Sequence, residues 1–206
     1  MTAPRQDPPP SARRAELLER AYAHACAHGL AGMSLRPLAA AIGSSPRVLL
    51  FLFGSKEGLV RDLLVRARAD QLALLPGPSR TPGTATPDLP ELVGQVWAWL
   101  VDASRRPLLR LWAEAYGQSL VQQDGPWTGF AAATVQDWLD LLGSVQPASE
   151  RGTPEGLAAR TLALAVLRGA LLDLLATGDA ERATAAVRRY LDTCNAHPHR
   201  KENEDG

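Results

Sequence analysis

The side chains best suited to chemistry near the start of the chain are His24, Cys26 and His28, in the string H-A-C-A-H. Imidazole and thiolate are good zinc ligands, but this spacing does not suit a helix. Helical residues two apart point about 200° away from each other, so these three groups cannot converge on one ion. The other cysteine, Cys194, is remote and completes no metal or redox pattern. Both are expected to be free thiols, as in a reducing compartment. Only four histidines are present, and two of them, His197 and His199, sit in a polar tail. No nucleophile, base and orienting group stand where a pocket could assemble them. The expectation is therefore no metal, no cofactor and no enzymatic activity.

The net charge is zero, with 22 basic and 22 acidic residues, but the charges are unevenly spread. Residues 1–75 hold ten Arg/Lys and six Asp/Glu, whereas residues 76–206 hold twelve and sixteen. A basic end suits a polyanion, and an acidic remainder suits a solvated body. The chain is 46% hydrophobic, enough for a packed protein. Every apolar run is broken by charge before the roughly 18 residues that would span a bilayer. The opening stretch lacks the apolar segment of a secretory signal. No membrane partner is expected, and the expected location is cytoplasmic.

Helical punctuation recurs along the whole chain, and no segment alternates polar and apolar residues as a strand would. After a Pro-rich arm over 1–10, Ser11 is placed to cap a helix from about Ala12 to His28, which Gly29 stops. Ser34 is placed to cap a short helix from Leu35 to Ile42, with Pro37 harmless in its first turn. Gly43 suits the left-handed backbone of a sharp turn. Ser45 followed by Pro46 then reads as a cap and first residue of a third helix, ending at Phe53-Gly54. Ser55 is placed to cap a fourth, from Lys56 to about Leu75. The Pro/Gly/Ser/Thr cluster over 76–88 predicts a loop. Further helices are predicted near 89–105, 107–122, 127–145, 154–177 and 179–195, before a polar tail from Ala196. The fold class is all-α.

Two short helices joined at Gly43 behind a longer one make a helix-turn-helix pattern, with Leu38, Ala39, Ile42, Leu49 and Phe53 as its small core. The stretch from Met33 to Leu59 resembles the DNA-binding domain of the tetracycline-repressor (TetR) family. The shared features are Gly29, Ser34, Leu38-Ala39, Ile42-Gly43, Ser45, Leu49 and the run Phe53-Gly54-Ser55-Lys56-Glu57 leading to Leu59. The likeness is strong over 11–65 and holds in outline beyond. It implies an N-terminal DNA-binding domain (11–55) and a C-terminal ligand-binding and dimerisation domain (56–195), flanked by the arm and a tail over 196–206.

By position, the resemblance gives Arg47 a base-reading role near the start of the recognition helix, where a guanidinium can fork onto guanine. Pro46 lies beside it, and Val48 and Leu50 are placed for thymine methyls. Arg36, Ser45 and Lys56 are placed for phosphates, with Arg13 and Arg14 as additional backbone or minor-groove contacts. The chain departs from the family at Leu50 and Leu52, where Tyr and then His or Tyr are usual, and at Pro46-Arg47, where Lys-Gly is frequent. Fewer phosphate donors imply a shallow salt dependence.

All five tryptophans fall after the loop. The resemblance places an effector pocket there, with Trp97, Trp112, Glu114, Tyr116, Gln118, Trp127, Phe130 and Trp138 as candidate ligand residues. Glu114 and Gln118 are the polar groups expected to orient the effector, with substitution at Glu114 leaving DNA binding nearly intact. Leu162, Val166, Gly169 and Leu172 form one apolar stripe and Val187 and Leu191 belong to a second, matching the family's dimerisation pair. The implied function is a homodimeric repressor that leaves double-stranded operator DNA when a small hydrophobic effector binds. The alternative is a helical receptor or interaction protein whose sequence-specific DNA reading is weak or lost.

Overall fold

The computed structural model describes residues 10–74, 87–122 and 124–196. Nearly all of the expected arm, most of the expected loop over 76–88 and the tail beyond Ala196 lie outside the described residues. Among the described residues there are ten α-helices, one 3-10 turn and no strand. They are α1 (Pro10–His28), α2 (Leu35–Ala41), α3 (Pro46–Phe53), α4 (Lys56–Leu74), α5 (Leu89–Val101), α6 (Arg106–Val121), α7 (Phe130–Ser144), α8 (Ala148–Arg151), α9 (Pro154–Thr177) and α10 (Ala180–Ala196). No single helix among them is long and apolar enough to cross a membrane.

Local chemistry accounts for most boundaries, and for three departures from expectation. The first helix begins at Pro10, before the predicted cap at Ser11; a first-turn proline loses no intrahelical bond. The predicted helix over 89–105 is broken at Asp102, whose extended backbone ends α5 while its carboxylate caps the 3-10 turn Ala103–Arg105. The helix predicted from 127 starts at Phe130, after a turn through Gly129 at φ +75°. The short α8 was not anticipated.

The described residues group into two compact units. One holds the described residues up to Ala73 and those of 107–132; the other holds the described residues of 74–106 and of 133–196. In the first unit Leu17, Ala21, Ala25, Leu38, Ala39, Leu49, Leu59 and Leu63 are fully buried. Each such leucine contributes roughly 1.5–3 kcal/mol by leaving water. Polar ties fix α4 to α1. Arg14 pairs with Asp62, Arg66 with Glu19 at 2.7 Å, and the Tyr22 hydroxyl donates to Asp70 Oδ2 at 2.8 Å.

In the second unit α5, α9 and α10 pack against one another. The Trp97 indole N–H donates to Thr184 Oγ1 at 3.0 Å, joining α5 to α10. Gln146 is buried, donates to the Gly156 carbonyl at 2.9 Å and accepts from Arg160 at 2.9 Å, which anchors the start of α9. Val187 and Ala183 lie in this core, 1% and 2% exposed. Leu191 is half-buried and faces Gly94 of α5. The α10 part of the expected dimer face is thus turned inward, because α5 covers it.

Burial, and then the bond to Asp70, push the Tyr22 phenol well above its ordinary range. The unfolded chain therefore ionises Tyr22 first, near pH 10. The stability gained by keeping the phenol neutral is complete below that pH and is lost progressively as pH rises above it toward the higher folded-state value. The melting temperature of wild type should fall more steeply above about pH 10 than that of Tyr22→Phe, which should itself be about 1 kcal/mol less stable at pH 7. Parallel slopes for the two proteins would contradict this account.

Candidate nucleic-acid interface

The chain bends by 102° between α2 and α3, within the range of a helix-turn-helix. The bend is built from short-range bonds: the Gly43 amide donates to Ala40 O and the Ser44 amide to Ala39 O. Ser45 caps α3 as predicted, its hydroxyl accepting from the Val48 amide at 3.3 Å, with Pro46 in the first turn. Ser34 differs from expectation. It has the extended backbone of a cap, but its side chain makes no capping bond.

The F-G-S-K-E-G-L run has a mechanical reason at each step. Phe53 is buried, Gly54 turns at φ +75°, and Ser55 Oγ accepts the Gly58 amide at 3.0 Å. A β-carbon at Gly58 would lie 2.2 Å from the Phe53 carbonyl oxygen. The first turn of α4 can therefore tuck under the end of α3 only without a side chain there. The run seats α3 at a fixed angle.

Arg14 performs the same task from α1. Its guanidinium lies 5.2 Å from the centre of the Phe53 ring, donates to the Leu52 carbonyl at 3.2 Å and pairs with Asp62. Arg13 pairs with Glu16 at 2.7 Å, and Arg20 donates to the Ile42 carbonyl at 3.2 Å. Of the two arginines expected as supplementary DNA contacts, Arg14 ties α1 to α3 and α4, whereas Arg13 pairs only within α1. By contrast Arg36, Arg47 and Lys56 are exposed and make no ion pair among the described residues. Beside Lys56, its own backbone amide and the Ser55 hydroxyl hold the Glu57 carboxylate below its ordinary range.

On α3, Leu49 and Phe53 are buried while Arg47, Val48, Leu50 and Phe51 face water. Phe51 was missed by sequence reasoning, and it is the most exposed of them at 79%. Its position four residues after Arg47, on the same helix face, was the available signal.

The candidate effector residues separate. Trp112, Glu114, Tyr116, Gln118, Trp127 and Phe130 belong to the first unit, and Trp97 and Trp138 to the second. Trp112 and Tyr116 come together, with ring centres 5.1 Å apart, and Trp112, Trp127 and Phe130 are buried. The Trp112 indole N–H is buried without a hydrogen-bond partner among the described residues. Gln118 accepts from Gln122 at 2.7 Å.

Glu114 has a different task from the one expected. Both its oxygens accept from the Leu30 amide, at 3.1 and 2.9 Å, just after α1 ends. A β-carbon at Gly29 would stand 2.9 Å from Oε2, so the carboxylate fits because residue 29 is glycine. The carboxylate thus joins α6 to the turn that leads into α2.

No family model matches the chain, and no curated protein matches it. Solved structures do. A transcriptional regulator from Rhodococcus sp. Rha1 superposes with a TM-score of 0.70 at 20% identity, covering 87% of this chain and 94% of its own. A TetR transcriptional regulator from Legionella pneumophila gives 0.64 at 18%, covering 94% and 99%. The multidrug-binding protein EbrR, complexed with imidazole, gives 0.61 at 24%, covering 91% and 96%. The chain has the TetR-type regulator fold. Within that fold Glu114 is a joint, and removing it leaves the part-buried Leu30 amide without this partner. Glu114→Ala should cost about 1–3 kcal/mol and speed hydrogen exchange at Leu30, while Glu114→Gln, which keeps an acceptor, should recover much of the loss. Unchanged exchange at Leu30 in the alanine variant would show that this bond holds nothing.

Proposed function

We propose that the protein is a cytoplasmic, homodimeric transcriptional regulator that binds operator DNA through α2 and α3 and is released by a small hydrophobic effector. The carrying observation is α3 itself: an exposed face bearing Arg47, bordered by unpaired cations on α2 and α4, and braced from behind by Leu49, Phe53 and Arg14. That is the arrangement a groove-reading helix needs. The TetR-type fold along nearly the whole chain supports the same reading.

The effector side rests on the buried aromatic group of the first unit and on the unsatisfied Trp112 donor, which suits a largely apolar molecule carrying a hydrogen-bond acceptor. EbrR, of the same fold, is named as multidrug-binding and was solved with imidazole and with proflavin. A role for Glu114 in orienting a cation is not part of this proposal, since the Leu30 amide holds it. The protein is proposed to act by binding and not by catalysis.

Dimerisation is proposed through α9. Leu162 and Leu172 are 57% and 46% exposed, and Gly169 between them is also exposed. Leu162, Gly169 and Leu172 fall along one side of the helix, and Val166 is half-buried beside them. Paired across a two-fold axis, such a stripe would cover itself. Glutamate at Leu162 and Leu172 should convert a dimer at micromolar concentration into a folded monomer, as light scattering would read. A wild-type monomer under those conditions would refute it.

For DNA, Arg47→Ala should cost about 1–3 kcal/mol on a selected duplex and much less on a scrambled one. Lys56→Ala should weaken both equally and reduce the salt slope by about one unit. If no duplex is bound in preference to scrambled sequence, the protein is a receptor that does not read DNA.

A further inference from the structure

The reading face of α3 is made almost entirely of carbon. From Pro46 to Phe53 the only polar side chain is Arg47. Leu50 and Phe51 share a face with it, three and four residues on, and are 44% and 79% exposed. Val48, 37% exposed, flanks them. These groups cannot turn inward, because Leu49 and Phe53 occupy the buried side and Arg14 covers the Phe53 ring. Beyond Arg47 the face offers no side-chain donor or acceptor with which to read a base edge. The major groove presents one apolar group, the C5-methyl of thymine. The exposed cations Arg36, Arg47 and Lys56 around the patch match a phosphate backbone better than an apolar protein surface.

We propose that Leu50 and Phe51, flanked by Val48, read the operator through thymine C5-methyl groups, so that each half-site carries thymine beneath the C-terminal half of α3. This rests on the DNA-reading role proposed above. Arg47 then supplies the polar reading near the start of the helix, and the methyl contacts set the remaining positions. Phe51, absent from the residues singled out by motif, becomes a specificity determinant.

The test begins with selection of a duplex from a random-sequence pool by the full-length protein. That duplex is then rebuilt with each thymine replaced in turn by deoxyuridine, which removes the methyl and leaves base pairing intact. At the positions facing α3, affinity should drop about three- to fourfold per methyl removed. Because this arm uses wild-type protein, it does not depend on any variant folding. With Leu50→Ala/Phe51→Ala, affinity for the thymine duplex should fall by a similar factor and the same deoxyuridine changes should become silent. A selected duplex in which every deoxyuridine substitution is silent overturns methyl reading while leaving DNA binding standing. Failure to enrich any duplex overturns both proposals. If the double variant keeps full affinity and deoxyuridine sensitivity but self-associates differently, the patch docks protein, and the proposal fails.

Discussion

One guanidinium ties α1, α3 and α4 together. Arg14, on α1, covers the ring of Phe53, bonds the carbonyl of Leu52, the penultimate residue of α3, and pairs with Asp62 of α4. Without it, α3 would be held only by its two buried anchors and its flanking turns. An exposed ion pair is worth little by itself. Here one side chain joins its own helix to two others, and its cation is partly shielded by the aromatic face, where such contacts strengthen. The angle of α3, and so the direction in which Arg47 and Phe51 point, depends on that junction. Gly58 completes it from the other side by letting α4 approach the Phe53 carbonyl.

A second junction extends the unit beyond the helix-turn-helix. The Glu114 carboxylate accepts the Leu30 amide, so α6 is anchored to the connection between α1 and α2. A shift of α6 along its axis would break or drag that bond. The buried Trp112 lies two residues earlier on the same helix, against Tyr116. The aromatic group proposed to meet the effector and the bond that anchors the turn before α2 are thus borne by one helix, a contiguous physical connection between the two proposed sites.

Much of this architecture was legible in the sequence, because it is local. Ser45-Pro46, Gly43 and Gly54 mark their boundaries by backbone chemistry that acts within a few residues, and the periodic apolar residues of α1 to α4 found their core. What failed was longer in range or finer in detail. The Glu114 bond joins residues 84 apart, which no local pattern encodes, so a carboxylate among aromatics read as a ligand group. Periodicity gave α9 and α10 an apolar face each but not what covers it. The α10 face, at Val187, meets α5, while the α9 face at Leu162 and Leu172 is left open. Ser34 has a capping backbone without a capping bond, a distinction set by side-chain rotation.

The division of labour along α3 has an evolutionary consequence. Within eight residues, the side chains that keep the helix in place and those that face outward are different residues. Exchanges at 47, 50 and 51 can therefore accumulate with little penalty to folding, since exposed positions contribute few packing contacts. With the proposed DNA-reading role, a duplicated copy of such a gene would drift to a new target sequence by single steps, each passing through a folded protein. Leu49, Phe53, Gly58 and Arg14 would have to stay as they are while it did so.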